Sequence, residues 1–506
     1  MKRTIASILL VVLMLINVIA MASCGGTTAG NGNGDANLDD IIKDATDKLT
    51  AEGWVVPEGG YDGSEVTITF YHTMSATKLQ PTLDLYISEF NKLYPNITVV
   101  HSAPGSYDDV LDQIKTEINA GNQPNIAYCY PDHVATYNVA RAVVSLDNLI
   151  NSQIPVTDAT GATSILGLTD EQKADFVPGY YAEGGVYDAR GTMYTLPMSK
   201  STEALYYDKT FFEANNIKVP TTWDEMEEAC RKIKAIDPDC IPLGYDSESN
   251  WFITMCMQSG GNSLYTEHSN SKDYFKFDNA TTRAFVERFR GWYDLGYLTT
   301  ETLYGSYTSG LFTNTEANAE TGKVQRCYMV IGSTGGASYQ QPPKDANDNP
   351  LFETGMATIP QVDPANPQVI SQGPSLCIFN DSNPQEVIAS WLFVKFLTTN
   401  PGFQAAFSMA SGYAPVIKSV QNDTKYNDWL NAANGYNNLT AMSVKLALSQ
   451  ADAYYVSPAF NGSSEARKQV GLIMTNVLGS ERTDVSALID EEFKRAMQEC
   501  NYAVGK

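Results

Sequence analysis

Gly332-Ser-Thr-Gly-Gly336 sets successive backbone N–H groups beside two hydroxyls, with no bulky side chain in the way. Such a turn makes a concave donor surface suited to phosphate or sugar oxygens, and serves equally well as a plain hinge. Gly462-Ser-Ser-Glu-Ala-Arg467 adds a second donor turn at a helix start, with Arg467 one turn inside. That guanidinium would either fork onto a phosphate or pair with Glu465 or Glu481 on the surface. Trp251, Tyr107 and Tyr413 offer aromatic faces to a ligand or to the core. His72, Asp132 and His133 fall where strands are expected to end and would converge either as a metal site or as polar lining of a cleft. With only four histidines in the chain, the lining is the better reading. No GxSxG elbow, HExxH, P-loop or dinucleotide fingerprint is present, and adjacent carboxylates such as Asp108-Asp109 and Glu227-Glu228 suit solvated faces better than an acid/base couple. Binding is therefore favoured over catalysis. A secreted hydrolase or metal-dependent enzyme built on His72, Asp132 and His133 is the rival from another class.

These groups need elements to hold them. Val66, Ile68 and Phe70 alternate with more polar residues and predict a strand; Leu79, Leu83, Tyr86, Ile87, Phe90 and Tyr94 recur at helical spacing until Pro95. A strand from Ile97 to His101 follows, then a helix carrying Val110, Leu111, Ile114 and Ile118 to Gly121, then a strand from Ile126 to Tyr130. That order implies a parallel sheet with right-handed crossovers, and in such sheets ligands bind beyond the carboxyl ends of the strands. In the stretch from Thr195 to Lys209 the polar run Ser199 to Glu203 separates two strand-like segments, as in a chain crossing between lobes past a ligand. Return crossings are predicted at Ile331, which leads into the Gly332 turn, and at Gly373-Pro374. Thr222-Trp-Asp-Glu225 reads as a capping box. Val387 to Leu397 is apolar all round and too short to span a bilayer, so a buried helix is expected there.

Composition bounds the partners. The 506 residues are too many for one core, and a formal charge of −24 argues against nucleic acid or an anionic membrane surface. Lys2-Arg3, the apolar run Ile5 to Ile19 and Ala22-Ser23-Cys24 read as a signal peptide, and the Met21-Ala-Ser-Cys24 ending resembles the bacterial lipobox, which would make Cys24 a lipidated first residue although Met21 stands where Leu is usual. Gly25 to Asn37 reads as a tether, and Asp39 to Leu49 as a short helix joining it to the body. The other cysteines show no CxxC spacing, and a Cys230–Cys240 pairing is left open.

From Val66 to about Gln498 the chain resembles the periplasmic-type solute-binding proteins of carbohydrate uptake (extracellular solute-binding protein family 1). The resemblance rests on Gly191-Thr-Met-Tyr-Thr-Leu-Pro197, Leu205-Tyr-Tyr-Asp-Lys209, Pro220 to Glu225, and Trp391 to Leu397 ahead of Ser411-Gly-Tyr-Ala-Pro415. Phe70 to Met74, Gly105-Ser-Tyr107, Leu196 to Thr202, Gly332 to Gly336, Gly373 to Leu376 and Ser411 to Tyr413 bring it nearest to the glycerol-3-phosphate-binding branch. The resemblance implies a ligand held by Tyr107, Ser201, Ser333, Gly373, Tyr413 and Arg467, with Trp251 as a wall. The family's carboxylate after the third strand falls at Pro131 in register, so Asp132, one place later, has to substitute for it.

The expectations are then specific. The fold is α/β and two-lobed, each lobe a mainly parallel sheet flanked by helices, with three crossings. Residues 1–23 form the signal peptide, 24–64 the lipidated tether and linker, 65–200 plus 331–374 lobe 1, and 201–330 plus 375–506 lobe 2. The function implied is that of a substrate-binding lipoprotein on the outer face of the cytoplasmic membrane, a monomer without cofactor or metal. It would deliver glycerol 3-phosphate, a glycerophosphodiester or a neutral oligosaccharide to the permease subunits of an ABC importer.

Overall fold

Val66, Ile68 and Phe70 are buried along one face of the first strand while their neighbours are not, which is the period of a half-covered sheet. The computed structural model describes residues 54–188, 190–267, 273–319 and 322–506; the expected signal peptide, Cys24, the Gly25–Asn37 tether and the Asp39–Leu49 helix lie outside them. Numbering only the elements used below, the chain runs β1 (Val66–Tyr71), α1 (Gln80–Leu93), β2 (Ile97–Ser102), α2 (Tyr107–Ala120), β3 (Ile126–Cys129), α3 (Pro131–Val139), β4 (Leu196–Pro197) and β5 (Glu203–Asp208). It continues through α4 (Trp223–Ile236), β6 (Leu243–Tyr245), α5 (Glu248–Gly260), α6 (Ala280–Asp294), β7 (Leu298–Thr300), β8 (Met329–Ser333), β9 (Thr354–Ala357) and β10 (Val369–Ile370). Last come β11 (Ser375–Ile378), α7 (Pro384–Thr399), α8 (Pro401–Ser411), α9 (Leu439–Ser449), β12 (Tyr454–Tyr455), α10 (Ser463–Leu478) and α11 (Val485–Ala503).

Two five-stranded sheets, ordered β2-β1-β3-β11-β4 and β9-β5-β8-β6-β7, form the cores of two lobes. Each sheet is parallel on one side (β2-β1-β3; β8-β6-β7) and antiparallel on the other (β3-β11-β4; β9-β5-β8), because strands next to the crossings re-enter from the opposite end. Local signals fix the ends of α2: Ser106 and Asp109 exchange capping hydrogen bonds at its start, and Gly121, at φ 74°, closes it in the left-handed region. At α4 only half of the expected box forms. Thr222 caps the Glu225 amide, while the Glu225 carboxylate turns to Thr221 and Lys218.

The lobes exchange segments differently from the expected division. β8 and β9 pair with β5, so residues 331–357 belong to the second lobe, and β11 pairs with β3, so residues 375–378 belong to the first. The chain does not cross at Ile331: the Thr334–Tyr339 turn touches the seam and returns as β9. The crossings lie between β4 and β5, between β10 and β11, and between α9 and β12. Residues 54–64 are not linker either. Trp54, Val56 and Tyr61 pack on the first core, and the Trp54 amide donates to Ser145 Oγ at 3.0 Å.

Phe70, Phe90, Tyr128, Trp391 and Phe393 fill the first core; Trp223, Tyr245, Trp251, Phe252 and Phe289 fill the second. α7 is buried on nearly every face, as its composition predicts, and the Trp391 indole donates to Leu166 O at 2.8 Å. Fully burying each such ring contributes roughly 2–3 kcal/mol. Among the described residues no helix is long and apolar enough to cross a membrane. Cys230 and Cys240 are both buried free thiols.

Candidate ligand-binding cleft

The first lobe presents aromatic rings at the seam. Tyr107, the first residue of α2, stacks on Tyr130 with ring centroids 4.3 Å apart and lies near-parallel to Tyr128 at 6.2 Å. Burial raises the phenols of Tyr107, Tyr128 and Tyr413, so all three stay neutral. The Tyr128 hydroxyl has no hydrogen-bond partner among the described residues. Tyr130-Pro-Asp-His133 does not form the expected loop. Pro131 starts α3, a position that needs no N–H donor, and puts Asp132 in the first turn, where the helix dipole favours a negative charge. Asp132 is buried, yet among the described residues its Oδ2 has no hydrogen-bond partner; nor has the Nδ1 of buried His133.

The second lobe presents charge. Arg467 on α10 reaches the first lobe, its guanidinium 5.8 Å from the Tyr130 ring centre. It donates to Asn250 Oδ1 and among the described residues forms no ion pair, although Asp132 is the carboxylate acting most strongly on it. The Asn250 amide donates in turn to Gln372 Oε1 at 2.9 Å, and Gln372 exchanges two backbone hydrogen bonds with Ser201. Glu203, at the start of β5, accepts from the Tyr245 hydroxyl at 2.8 Å; burial pushes its carboxyl up to about 7. Asp246 is pushed up to about 6 by burial, against hydrogen bonds from Thr308, and Glu301 to about 7 by burial and by the charges of Asp246, Glu248 and Asp108.

At the crossings the backbone is tightly packed. Gly373 has φ 104°, and a Cβ there would lie 2.6 Å from Ser199 O. Ser333 Oγ meets Ser201 Oγ at 3.3 Å. Tyr413 lies against Gly335, where a Cβ would sit 2.4 Å from the ring. Lys200 is fully buried and ion-paired with Glu183 at 2.6 Å.

A sequence model described as bacterial extracellular solute-binding protein matches residues 86–434 of the chain. The chain belongs to this family. These solute-binding proteins serve ABC importers of sugars and glycerophosphates. One relative is the sn-glycerol-3-phosphate-binding periplasmic protein UgpB of Escherichia coli O1:K1, 23% identical over 372 residues, covering 71% of this chain and 76% of the relative. Similar solved structures include UgpB from Mycobacterium tuberculosis in complex with glycerophosphocholine (TM-score 0.65, 18% identity, 87% of this chain and 99% of that one). Another is the maltose-bound MalE3 of T. maritima (TM-score 0.64, 18% identity, 85% and 99%). The two-lobed fold is thus that of the solute-binding proteins, relatives that are binders rather than enzymes.

Within this solute-binding fold, Tyr107, Asp132, Tyr413 and Arg467 gather at the seam, and Ser201, Ser333 and Gly373 gather at the crossings beside it. Trp251 does not join them. It lies fully buried in the second core, stacked on Tyr245 at 4.7 Å and against Phe289 at 4.1 Å. The donor turns are partly spent: the Thr334 amide donates to Thr202 O, the Gly335 amide to Ser333 Oγ, and the Ser463 hydroxyl closes its own turn onto Phe460. Glu465 engages Gln469, leaving Arg467 to the cleft. The metal reading loses His72, whose Nδ1 accepts from the Met74 amide and whose Nε2 meets His101 Nδ1 at 2.9 Å. Among the described residues no group of three metal-ligating side chains is suitably arranged. Asn250, Asp246 and Glu301 were not anticipated. Each reaches the cleft through the adjacency of β6, β7 and β8, which no local pattern announces.

Proposed function

We propose that this solute-binding protein captures a small phosphorylated polyol, either sn-glycerol 3-phosphate or a glycerophosphodiester, and hands it to the permease subunits of an ABC importer. The observation that carries the reading is the pairing of opposites at the seam. Among the described residues Arg467 donates to Asn250 and forms no ion pair, while the buried Asp132 carboxylate keeps an oxygen without a partner. A guanidinium with spare donors suits phosphate oxygens, and a free carboxylate oxygen suits polyol hydroxyls. The kinship with a glycerol-3-phosphate-binding protein points the same way. Because Arg467 and Asp132 come from different lobes, a ligand touching both favours the closed form. The protein acts as a monomer, without catalysis, held to the outer face of the cytoplasmic membrane by lipid on Cys24.

A thermal melt tests this. A ligand at about 100 times its Kd stabilises by roughly 2.7 kcal/mol. We expect a shift with glycerol 3-phosphate or a glycerophosphodiester; a shift with maltose alone would overturn the reading. That second outcome has its own support: the carboxylates and tyrosines would also suit sugar hydroxyls and faces, and a fold neighbour is maltose-bound.

A further inference from the structure

Lys200 and Glu183 form a charged pair sealed from water at the root of the first crossing. Glu183 sits in a tight turn whose next residue, Gly184, accepts from the Tyr194 amide just ahead of β4, so the carboxylate belongs to the first lobe. Its Oε1 accepts from Lys200 Nζ at 2.6 Å, and its Oε2 has no hydrogen-bond partner among the described residues. A pair of this kind adds little to the stability of a fold: apolar residues of similar volume commonly serve as well or better, whereas separating the partners leaves a costly buried charge. What it does supply is a penalty on any displacement of Lys200.

The main chain around Lys200 divides between the lobes residue by residue. Lys200 exchanges two backbone hydrogen bonds with Ala414, at 3.1 and 2.7 Å, between Tyr413 and Val416 on the first core. Thr202 leads into β5 and is held on the other side: its hydroxyl donates to Ile370 O at 2.7 Å, at the end of β10, and its amide to Thr334 Oγ1 at 3.1 Å, just past β8. Between them the Ser201 backbone pairs with Gln372, on the neighbouring crossing, at 2.8 and 3.0 Å. Both bridges stand alone outside the two sheets, so no ladder fixes their register. That register reaches both walls of the cleft. Ala414 follows Tyr413, and the Gln372 side chain accepts from Asn250, which accepts from Arg467. A slip of the crossing by one residue would shift Tyr413 on one side and the Asn250–Arg467 chain on the other, and would draw Lys200 away from Glu183.

We infer that Lys200 and Glu183 are positioning residues for solute capture. The pair pins the first crossing to the first lobe as far as Lys200, confines bending to Ser201 and its partner Gln372, and so sets the path along which Arg467 meets the aromatic wall. This rests on the lobe closure proposed above and not on which solute is bound.

Hydrogen exchange on the full chain without solute tests it, together with urea unfolding and calorimetry with glycerol 3-phosphate. Lys200→Met combined with Glu183→Leu removes both charges at similar volume and should leave the urea midpoint unchanged or higher. The amides of Ser201, Gln372 and Ala414 should nonetheless exchange at least about tenfold faster, because the two bridges open while the lobes stay folded. Affinity for glycerol 3-phosphate should fall by about tenfold, the factor that applies when one molecule in about ten holds the competent arrangement. Glu183→Gln, nearly isosteric, should move the same amides in the same direction. Unchanged exchange at these amides overturns the inference. In the double variant, faster exchange with unaltered affinity, or faster exchange spread evenly through both lobes with a lower urea midpoint, makes the pair a support of the core and overturns it too. Should glycerol 3-phosphate fail to bind the unaltered protein, the phosphate reading falls but this inference does not; the exchange pattern then decides it, with maltose as the affinity probe.

Discussion

The two walls of the cleft are built from different chemistry. The first lobe offers stacked tyrosines and the buried carboxylate of Asp132, held on the ends of a sheet and two helices. The second offers Arg467, Glu203, Asp246 and Glu301, connected by hydrogen bonds to loops and to the crossings. Rings neutral at any physiological pH make a rigid platform whose affinity changes little with conditions, whereas buried charges recognise sharply and respond to pH. On the proposed reading, a solute docked on the first wall is discriminated by the second when the lobes close.

Removing the charge should have the largest effect. Arg467→Ala is expected to weaken a phosphorylated ligand by about 2–4 kcal/mol, the loss of two charge-assisted hydrogen bonds, while a neutral saccharide would be little affected; calorimetry on both ligands decides. The walls should next part company with pH. His72, behind the first wall, is held down to about 4 by burial and by neighbouring His101, below its unfolded value of 6.5. It contributes stability that is complete above pH 6.5 and lost as pH falls towards 4, on the order of 3 kcal/mol. Glu203 in the second wall has the opposite sign: its carboxyl titrates near 7 when folded against 4.5 when unfolded, so its ionisation weakens the fold as pH rises through that window. His72→Gln should flatten the acid loss of melting temperature, and Glu203→Gln should raise the melting temperature at pH 7.5 but not at pH 4.5. If both variants moved the curve alike, the contrast between the walls would be lost.

Packing effects come next in size. Gly335→Ala drives a methyl into the Tyr413 ring and should cost about 1–3 kcal/mol in denaturant unfolding, with the ring displaced from the cleft. Smallest is Tyr128→Phe. The hydroxyl has no hydrogen-bond partner among the described residues, so its loss should leave the melting temperature nearly unchanged and weaken ligand binding by about 1 kcal/mol; a drop in stability without a change in affinity would show that the group is structural.

The elements were legible where a single period governs them. The alternation of Val66, Ile68 and Phe70, the helix closed by Gly121 and the all-round apolar α7 are local facts, written in adjacent residues. Tyr107, Asp132, Ser333, Tyr413 and Arg467 were singled out by their chemistry, Ser201 and Gly373 through family likeness, and their joint role in holding a ligand is the proposal made above. What local patterns could not supply was pairing. Whether Met329 to Ser333 joins the first or the second sheet depends on which strand it lies beside, and its hydrophobic run fits both. The expected division kept the strand up to residue 330 in the second lobe but sent residues 331–374 to the first, which placed one crossing at Ile331 instead of at the α9–β12 connection. Trp251 as a wall is another such case: indole suits a wall and a core equally, and only its full burial in the second core separates them.

The insertion of β11 between β3 and β4 has a consequence for assembly. During synthesis the first sheet lacks its inner strand until residue 378 has been made, and its covering helices α7, α8 and α9 come later still. The second lobe waits for α10 and α11, at the very end of the chain. Neither lobe can mature as an independent early unit. Closing such long loops is entropically costly and slow. The three connections that let the lobes move as a hinge also keep the chain unfinished until nearly all of it is present.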